Sequence, residues 1–167
     1  MRGALLRRRH RHCIDVSLVL PQGGGPSQSG PYPPLIREVD IITIFHCNIR
    51  GFISNSPELE ARLLLMDNRP SIVCITETWL NLSVGSPSLH GYTLIARRDR
   101  GDGRIGGGVI VFVLNPLADA LTTVFISTVS ERIWCIIYSS FGPLLLCVWY
   151  RPPTRGEVDI IISFIEE

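Results

Sequence analysis

Apolar and polar positions alternate in blocks from about Val39 onward in this 167-residue chain, and the blocks change period in a readable way. Ile41–Phe45 and Ile72–Ile75 are short β-branched runs, each followed by a polar residue, Asn48 in one case and Glu77 in the other. Between them, Glu58–Asn68 places Leu59, Leu63 and Met66 at helical spacing. Strand, helix, strand at this length predicts a right-handed crossover between parallel strands. Parallel strands end on the same side, so Asn48 and Glu77 are expected close together at the carboxyl edge, where open α/β sheets bind ligands. A carboxylate beside an amide at such an edge suggests a metal and a phosphate.

Further along, Tyr92–Arg97, Val109–Leu114, Thr122–Val129, Arg132–Tyr138 and Leu144–Tyr150 read as strands. They are separated by turns at Gly101–Gly108, Asn115-Pro116 and Ser139–Pro143. Asp159–Glu167 reads as the start of a helix. One βαβ unit followed by antiparallel strands predicts a mixed α/β sandwich. Ile133–Tyr150 holds eighteen residues without a charge, long enough to consider a membrane span. Ser139-Ser-Phe-Gly-Pro143 interrupts it, and the two halves are strand-length, so two buried strands joined by a turn are expected and no membrane partner.

Residues 1–38 differ in kind. A basic cluster at Arg7–Arg11 precedes a Gly/Pro/Ser/Gln-rich stretch at Pro21–Pro34, which predicts a disordered leader. Folded sequence is expected over residues 39–167. A signal peptide is disfavoured because Asp15 interrupts the short apolar run Cys13–Leu20.

Composition adds little. Formal charge is +1, and all 16 basic residues are arginine, a bias of usage more than a sign of function. Five cysteines show no CxxC spacing. Four of them, Cys47, Cys74, Cys135 and Cys147, sit in apolar runs as small hydrophobes, which favours a reducing, intracellular setting. Gly101-Asp-Gly-Arg-Ile-Gly106 matches the dinucleotide fingerprint in letters only, since a strand and not a helix follows it.

The candidate chemistry gathers at strand ends. Magnesium takes one or two carboxylates and completes its shell with water and phosphate, which suits Glu77. Asn48 can donate to a phosphate oxygen without adding charge. Tyr150-Arg-Pro-Pro153 closes another apolar run, and its prolines stop the strand and hold Tyr150 and Arg151 at the edge. Arg97-Arg-Asp-Arg100 with Arg104 reads either as solvated loop surface or as a phosphate-tracking segment.

Taken in order, Asn48-Ile-Arg-Gly51, Thr76-Glu-Thr-Trp-Leu80, Gly91-Tyr92, Arg97-Arg-Asp-Arg100 with the glycines to Gly108, and Tyr150-Arg-Pro-Pro153 resemble one family. The chain is similar to the endonuclease/exonuclease/phosphatase superfamily, and within it to the apurinic-endonuclease-like domain of non-LTR (LINE-type) retrotransposons. The resemblance spans 39–167. It implies a four-layered α/β sandwich of two mixed β-sheets with flanking helices. It also implies Mg2+- or Mn2+-dependent nicking of DNA, a reverse transcriptase domain on the same chain in full-length relatives, and a nuclear setting. By resemblance Glu77 binds the metal, and Asn48, Glu77 and Tyr150 form the catalytic set. Arg50, Arg98 and Arg151 are the substrate-contacting candidates. The family's later Gly-Asp-x-Asn and Ser-Asp-His segments do not occur in this sequence. The expectation is therefore the N-terminal part of such a domain, without its C-terminal part, poorly soluble and inactive alone. A phosphatase of the same superfamily and a non-catalytic nucleic-acid-binding remnant are the alternatives.

Overall fold

The computed structural model describes residues 13–19, 41–139 and 142–152. Among the described residues, eight strands, β1 (Cys13–Val19), β2 (Ile41–Asn48), β3 (Ile72–Thr76), β4 (Tyr92–Arg98), β5 (Val109–Leu114), β6 (Leu121–Ile126), β7 (Glu131–Ser139) and β8 (Gly142–Tyr150), form two sheets. One has five strands in the order β1-β2-β3-β5-β4, the other three in the order β6-β7-β8. A single α-helix among the described residues, α1 (Phe52–Leu64), connects β2 to β3, and a short 3-10 helix, Asn115–Ala120, follows β5.

The expected crossover is present, with β2 and β3 parallel in register Ile44↔Ile72 to Asn48↔Thr76. All other pairings are antiparallel. The five-stranded sheet is therefore mixed, whereas β6-β7-β8 is antiparallel throughout, a correction to the expectation of two mixed sheets. β3 is buried on both faces, which is why it reads as a continuous apolar run and not as an alternation. One face packs Ile72, Cys74, Val109 and Val111 against Ile133, Cys135, Ile137 and Val148 of the second sheet. The other face packs Phe45, Val73, Ile75, Ile110 and Phe112 against Phe52, Leu59 and Leu63 of α1. Helix, sheet and sheet make three layers among the described residues.

α1 starts six residues before the expected Glu58 and ends at Leu64, four before Asn68. Ser54, Asn55, Ser56 and Pro57 are turn formers, and Pro57 removes a helical donor. Tertiary capping overrides them. The Gly51 and Phe52 N–H groups, otherwise orphaned at a helix start, donate to the carbonyls of Glu77 and Thr78 at 2.8 Å each. Asn55 Nδ2 donates to the carbonyls of Ile49, Arg50 and Gly51, each at 3.0 Å.

Within the stretch expected to be a disordered leader, Cys13–Val19 instead pairs antiparallel with β2 over its whole length. Its backbone pairs along the otherwise free edge of β2. The rest of 1–38, and the helix expected at Asp159–Glu167, lie outside the described residues. Ile133–Tyr150 forms the β7–β8 hairpin, as expected. No helix among the described residues is long and apolar enough to cross a membrane. β6 ends at Ile126, short of the expected Val129, because Ser127 N–H donates to the Arg132 carbonyl at 3.0 Å and closes the turn. Asn115-Pro116 opens the 3-10 helix in place of a simple turn.

Candidate functional site

Parallel pairing carries Asn48 and Thr76 to the same height, and the chain then continues in step. Ile49 N–H donates to the Thr76 carbonyl at 3.0 Å. On the other side of β3, Trp79 N–H donates to the Gly107 carbonyl at 3.0 Å. Glu77 is thus held between two backbone neighbours at the carboxyl end of the sheet.

That hold requires unusual backbone. Arg50, Glu77 and Trp79 have φ of 52°, 58° and 57°, and they are the non-glycine residues with positive φ among those described. Left-handed conformations cost a non-glycine residue on the order of 1–3 kcal/mol each, and they collect where surrounding structure imposes them for function. Glycines make the room. A Cβ on Gly108 would lie 2.3 Å from Thr78 Oγ1, and one on Gly51 would lie 3.1 Å from the Trp79 ring.

Glu77 Oε2 accepts the Trp79 indole N–H at 2.5 Å and the Gly107 N–H at 3.2 Å. The Tyr150 hydroxyl, arriving from the other sheet, comes near the same carboxylate and favours its charged form. Burial alone pushes the Glu77 carboxyl up. Tyr150, Trp79 and Gly107, together with the Arg100 charge, outweigh it and hold the carboxyl below its ordinary value. Tyr150 moves the opposite way: burial, then the neighbouring Glu77 carboxylate, pushes its hydroxyl up to about 12. The pair is therefore a fixed anion and a fixed donor at neutral pH.

Asn48 brings a different signal. Its Oδ1 is buried and accepts no hydrogen bond, and the same holds for Thr78 Oγ1. Buried polar atoms are nearly always paired, so an orphaned oxygen at the sheet edge that also carries Glu77 marks a place for a ligand. On the same β2 face as Asn48, two residues earlier, His46 Nε2 meets Thr76 Oγ1 at 3.4 Å, and burial lowers the His46 imidazole.

The structure thus brings together Asn48, Glu77 and Tyr150 at one edge. Arg50 is exposed in the turn before α1, and Arg151 is exposed just past β8. Arg98 departs from its expected substrate role. Its Nη2 donates to the Thr128 carbonyl at 2.7 Å and its Nε to the Ser130 carbonyl at 3.3 Å, so it braces the β6–β7 turn. Arg97 is likewise engaged, bidentate on Asp99 and donating to the carbonyls of Asn81, Val84 and Gly85. Asn55 and Glu131 carry no signal in the sequence, whereas Trp79 and Arg100 stand in it only as members of the Thr76–Leu80 motif and of the Arg97–Arg100 segment. Arg100 Nε meets Glu131 Oε1 at 2.7 Å, and its guanidinium carbon lies 5.9 Å from the Tyr150 ring centroid.

No group of three or more His, Cys, Asp or Glu that could hold a metal occurs among the described residues. The donor set still fits magnesium or manganese: one carboxylate, Glu77, and one unpaired amide oxygen, Asn48 Oδ1, leave most of the shell to water and phosphate, as those ions prefer. Compared with protein-family models, curated proteins and solved structures, the chain matches none.

Proposed function

We propose that this chain carries the metal- and phosphate-holding side of a divalent-metal-dependent phosphodiester hydrolase of the endonuclease/exonuclease/phosphatase type, acting on DNA. The observation that carries this reading is the meeting of Glu77, Tyr150 and the unpaired Asn48 Oδ1, from two sheets, at one edge. Glu77 and Asn48 hold Mg2+ or Mn2+, which when bound stabilises charge developing on a phosphoryl group. Tyr150, locked as a donor, orients against Glu77 and faces the phosphate. Asn48 places its amide on a phosphate oxygen or on the metal. None of the three is a strong base at neutral pH: the donors around Glu77 lower its proton affinity, Tyr150 is held protonated, and the Asn48 amide does not titrate. Water activation therefore needs a further group, and the chain by itself is expected to bind rather than to cut. The fourth layer of the sandwich, nuclear residence and a linked reverse transcriptase belong to the same reading.

A phosphatase of this superfamily is the second reading. It is favoured by the engagement of Arg97 and Arg98, which removes two arginines of the segment that, with Glu77-Thr-Trp-Leu80, favours DNA.

Mn2+ binding followed by electron paramagnetic resonance tests the proposal, with duplex DNA or inositol phosphates added in turn. Binding of Mn2+ tightened by duplex DNA and abolished by Glu77→Gln is the expected result. Tightening by inositol phosphates alone selects the phosphatase. Undiminished Mn2+ binding in a folded Glu77→Gln variant overturns both.

A further inference from the structure

Among the arginines around this edge, hydrogen-bond engagement separates residues that a sequence treats alike. Arg97 and Arg98 are tied to carbonyls and Asp99, and Arg104 is paired with Asp102. Arg100 differs. Its side chain is 12% exposed, and its Nε is held by Glu131, itself 10% exposed. Nη1 and Nη2 have no hydrogen-bond acceptor among the described residues, and Asp102 approaches only Nε, at 4.0 Å.

The free end of that guanidinium faces the Glu77 corner across a glycine. From the position a Gly106 Cβ would take, Arg100 Nη1 lies 3.5 Å away and Glu77 Oε2 3.6 Å away. The two opposite charges flank this spot without pairing, since no Arg100–Glu77 ion pair within 4.0 Å occurs among the described residues. Arg100 closes through Nε onto Glu131 and not onto Glu77. Glu131 pulls Nε to one side, and Gly107 leaves the space for it: a Cβ there would lie 2.8 Å from Glu131 Oε1 and 2.9 Å from Arg100 Nε. A planar guanidinium fixed through Nε presents its two terminal nitrogens as a fork, the geometry that matches phosphoryl oxygens.

We infer that Arg100, oriented by Glu131, is the residue that grips a phosphoryl oxygen of the ligand held at the Glu77 corner. This rests on the proposed function for the ligand class, but not on DNA being the ligand. Arg100 replaces Arg98 as the phosphate contact, while Glu131 acts through Arg100 as a positioning residue.

The experiment measures binding of a fluorescein-labelled DNA duplex by anisotropy over a sodium chloride series with Mg2+. A parallel arm follows inorganic phosphate by 31P NMR. The proteins are the unaltered chain, Arg100→Lys, the double variant Arg100→Gln/Glu131→Gln, and Arg98→Gln. The double variant removes both buried charges, so no unpaired carboxylate is left behind. It is expected to lose about tenfold in affinity, and its salt slope falls by about one phosphate contact, ~0.9 in log–log units. Arg100→Lys keeps the slope, because the charge remains, yet binds several-fold more weakly because the fork is gone. Arg98→Gln lowers stability and leaves the slope unchanged.

A folded double variant with unaltered slope and phosphate affinity overturns the inference. So does an Arg100→Lys chain that binds as well as the unaltered one, which keeps the test decisive if the double variant fails to fold. Arg98→Gln lowering the slope as much as the double variant overturns it too. Arg100-dependent binding of phosphate without binding of DNA upholds Arg100 and refutes the nuclease reading. A chain that binds neither refutes both.

Discussion

The two ends of the five-stranded sheet are built from the same strands and treat their polar groups in opposite ways. At the amino end of β3, polar groups are matched in pairs. Ser71 N–H donates to Thr43 Oγ1 at 3.0 Å, Tyr92 hydroxyl to the Pro70 carbonyl at 3.0 Å, Thr93 Oγ1 to Asn115 Oδ1 at 2.9 Å. Backbone closure is equally complete there, with Leu114 N–H on the Ser71 carbonyl and Asn115 N–H on the Gly91 carbonyl. At the carboxyl end stand Arg50, Glu77 and Trp79 with positive φ, and Asn48 and Thr78 with buried, unpaired oxygens. Both ends are built from strands packed into the same two core clusters, one on each face of the sheet, so the contrast is not one of poor packing. Strain and unmet hydrogen bonds persist where the surroundings impose them, and they collect at sites that bind something.

If the carboxyl end is held in its strained form by close backbone approach, a methyl group there should have the largest effect in the molecule. Gly108 has φ of +88°, and a Cβ would meet Thr78 Oγ1 at 2.3 Å and the Arg98 carbonyl at 3.5 Å. Gly108→Ala is expected to cost about 3–5 kcal/mol, from backbone strain plus overpacking. Gly103, at φ +74° with nothing within 4 Å, suffers the backbone part alone, so Gly103→Ala is expected to cost about 1 kcal/mol. Urea unfolding of both variants checks this, and equal losses would show that the close approach to Thr78 is irrelevant.

The amino end should respond to loss of a pair in stability alone. Tyr92→Phe strands a buried carbonyl at Pro70 and is expected to cost about 1–2 kcal/mol by urea unfolding. Mn2+ affinity is expected to stay at the wild-type value. A variant that weakened Mn2+ binding would show the two ends to be coupled and would break the comparison.

How far each end is legible in the sequence follows from what specifies it. The crossover and the coming together of Asn48 and Glu77 are legible because an apolar run ending in a polar residue states both a strand and its end. The start of α1 is not, because its first donors are capped by carbonyls of Glu77 and Thr78, distant in sequence. Arg98 and Arg100 look equivalent as letters. Only the fold turns one toward the Thr128 and Ser130 carbonyls and the other toward Glu131. Glu131 itself reads as a loop residue before a strand, and becomes informative once β7 and β8 pair it with Tyr150. Cys13–Val19 was obscured by Asp15 and by the Gly/Pro-rich sequence after it, since only the free edge of β2 makes a strand there useful.

The smallest effect sharpens the comparison through pH. Glu77 is held below the ordinary carboxylate value, because its donors outweigh the burial that would raise it. A carboxyl depressed in the folded state contributes stability above its unfolded value, and that contribution disappears as pH falls through the folded value. The stability difference between the chain and Glu77→Gln should therefore be constant near neutrality. It should shrink as pH drops below about 4, in the ordinary carboxylate range and under it. Glu77 is only partly buried, so solvent screening keeps the change small. The Tyr92→Phe difference should stay flat through the same window, since the Tyr92 hydroxyl is pushed up to about 12 by burial. Urea midpoints measured from pH 7 to pH 3 decide it. A Glu77→Gln difference that widens toward acid would mean that the donors around Glu77 hold a protonated carboxyl, and the anion at the centre of this site would be lost.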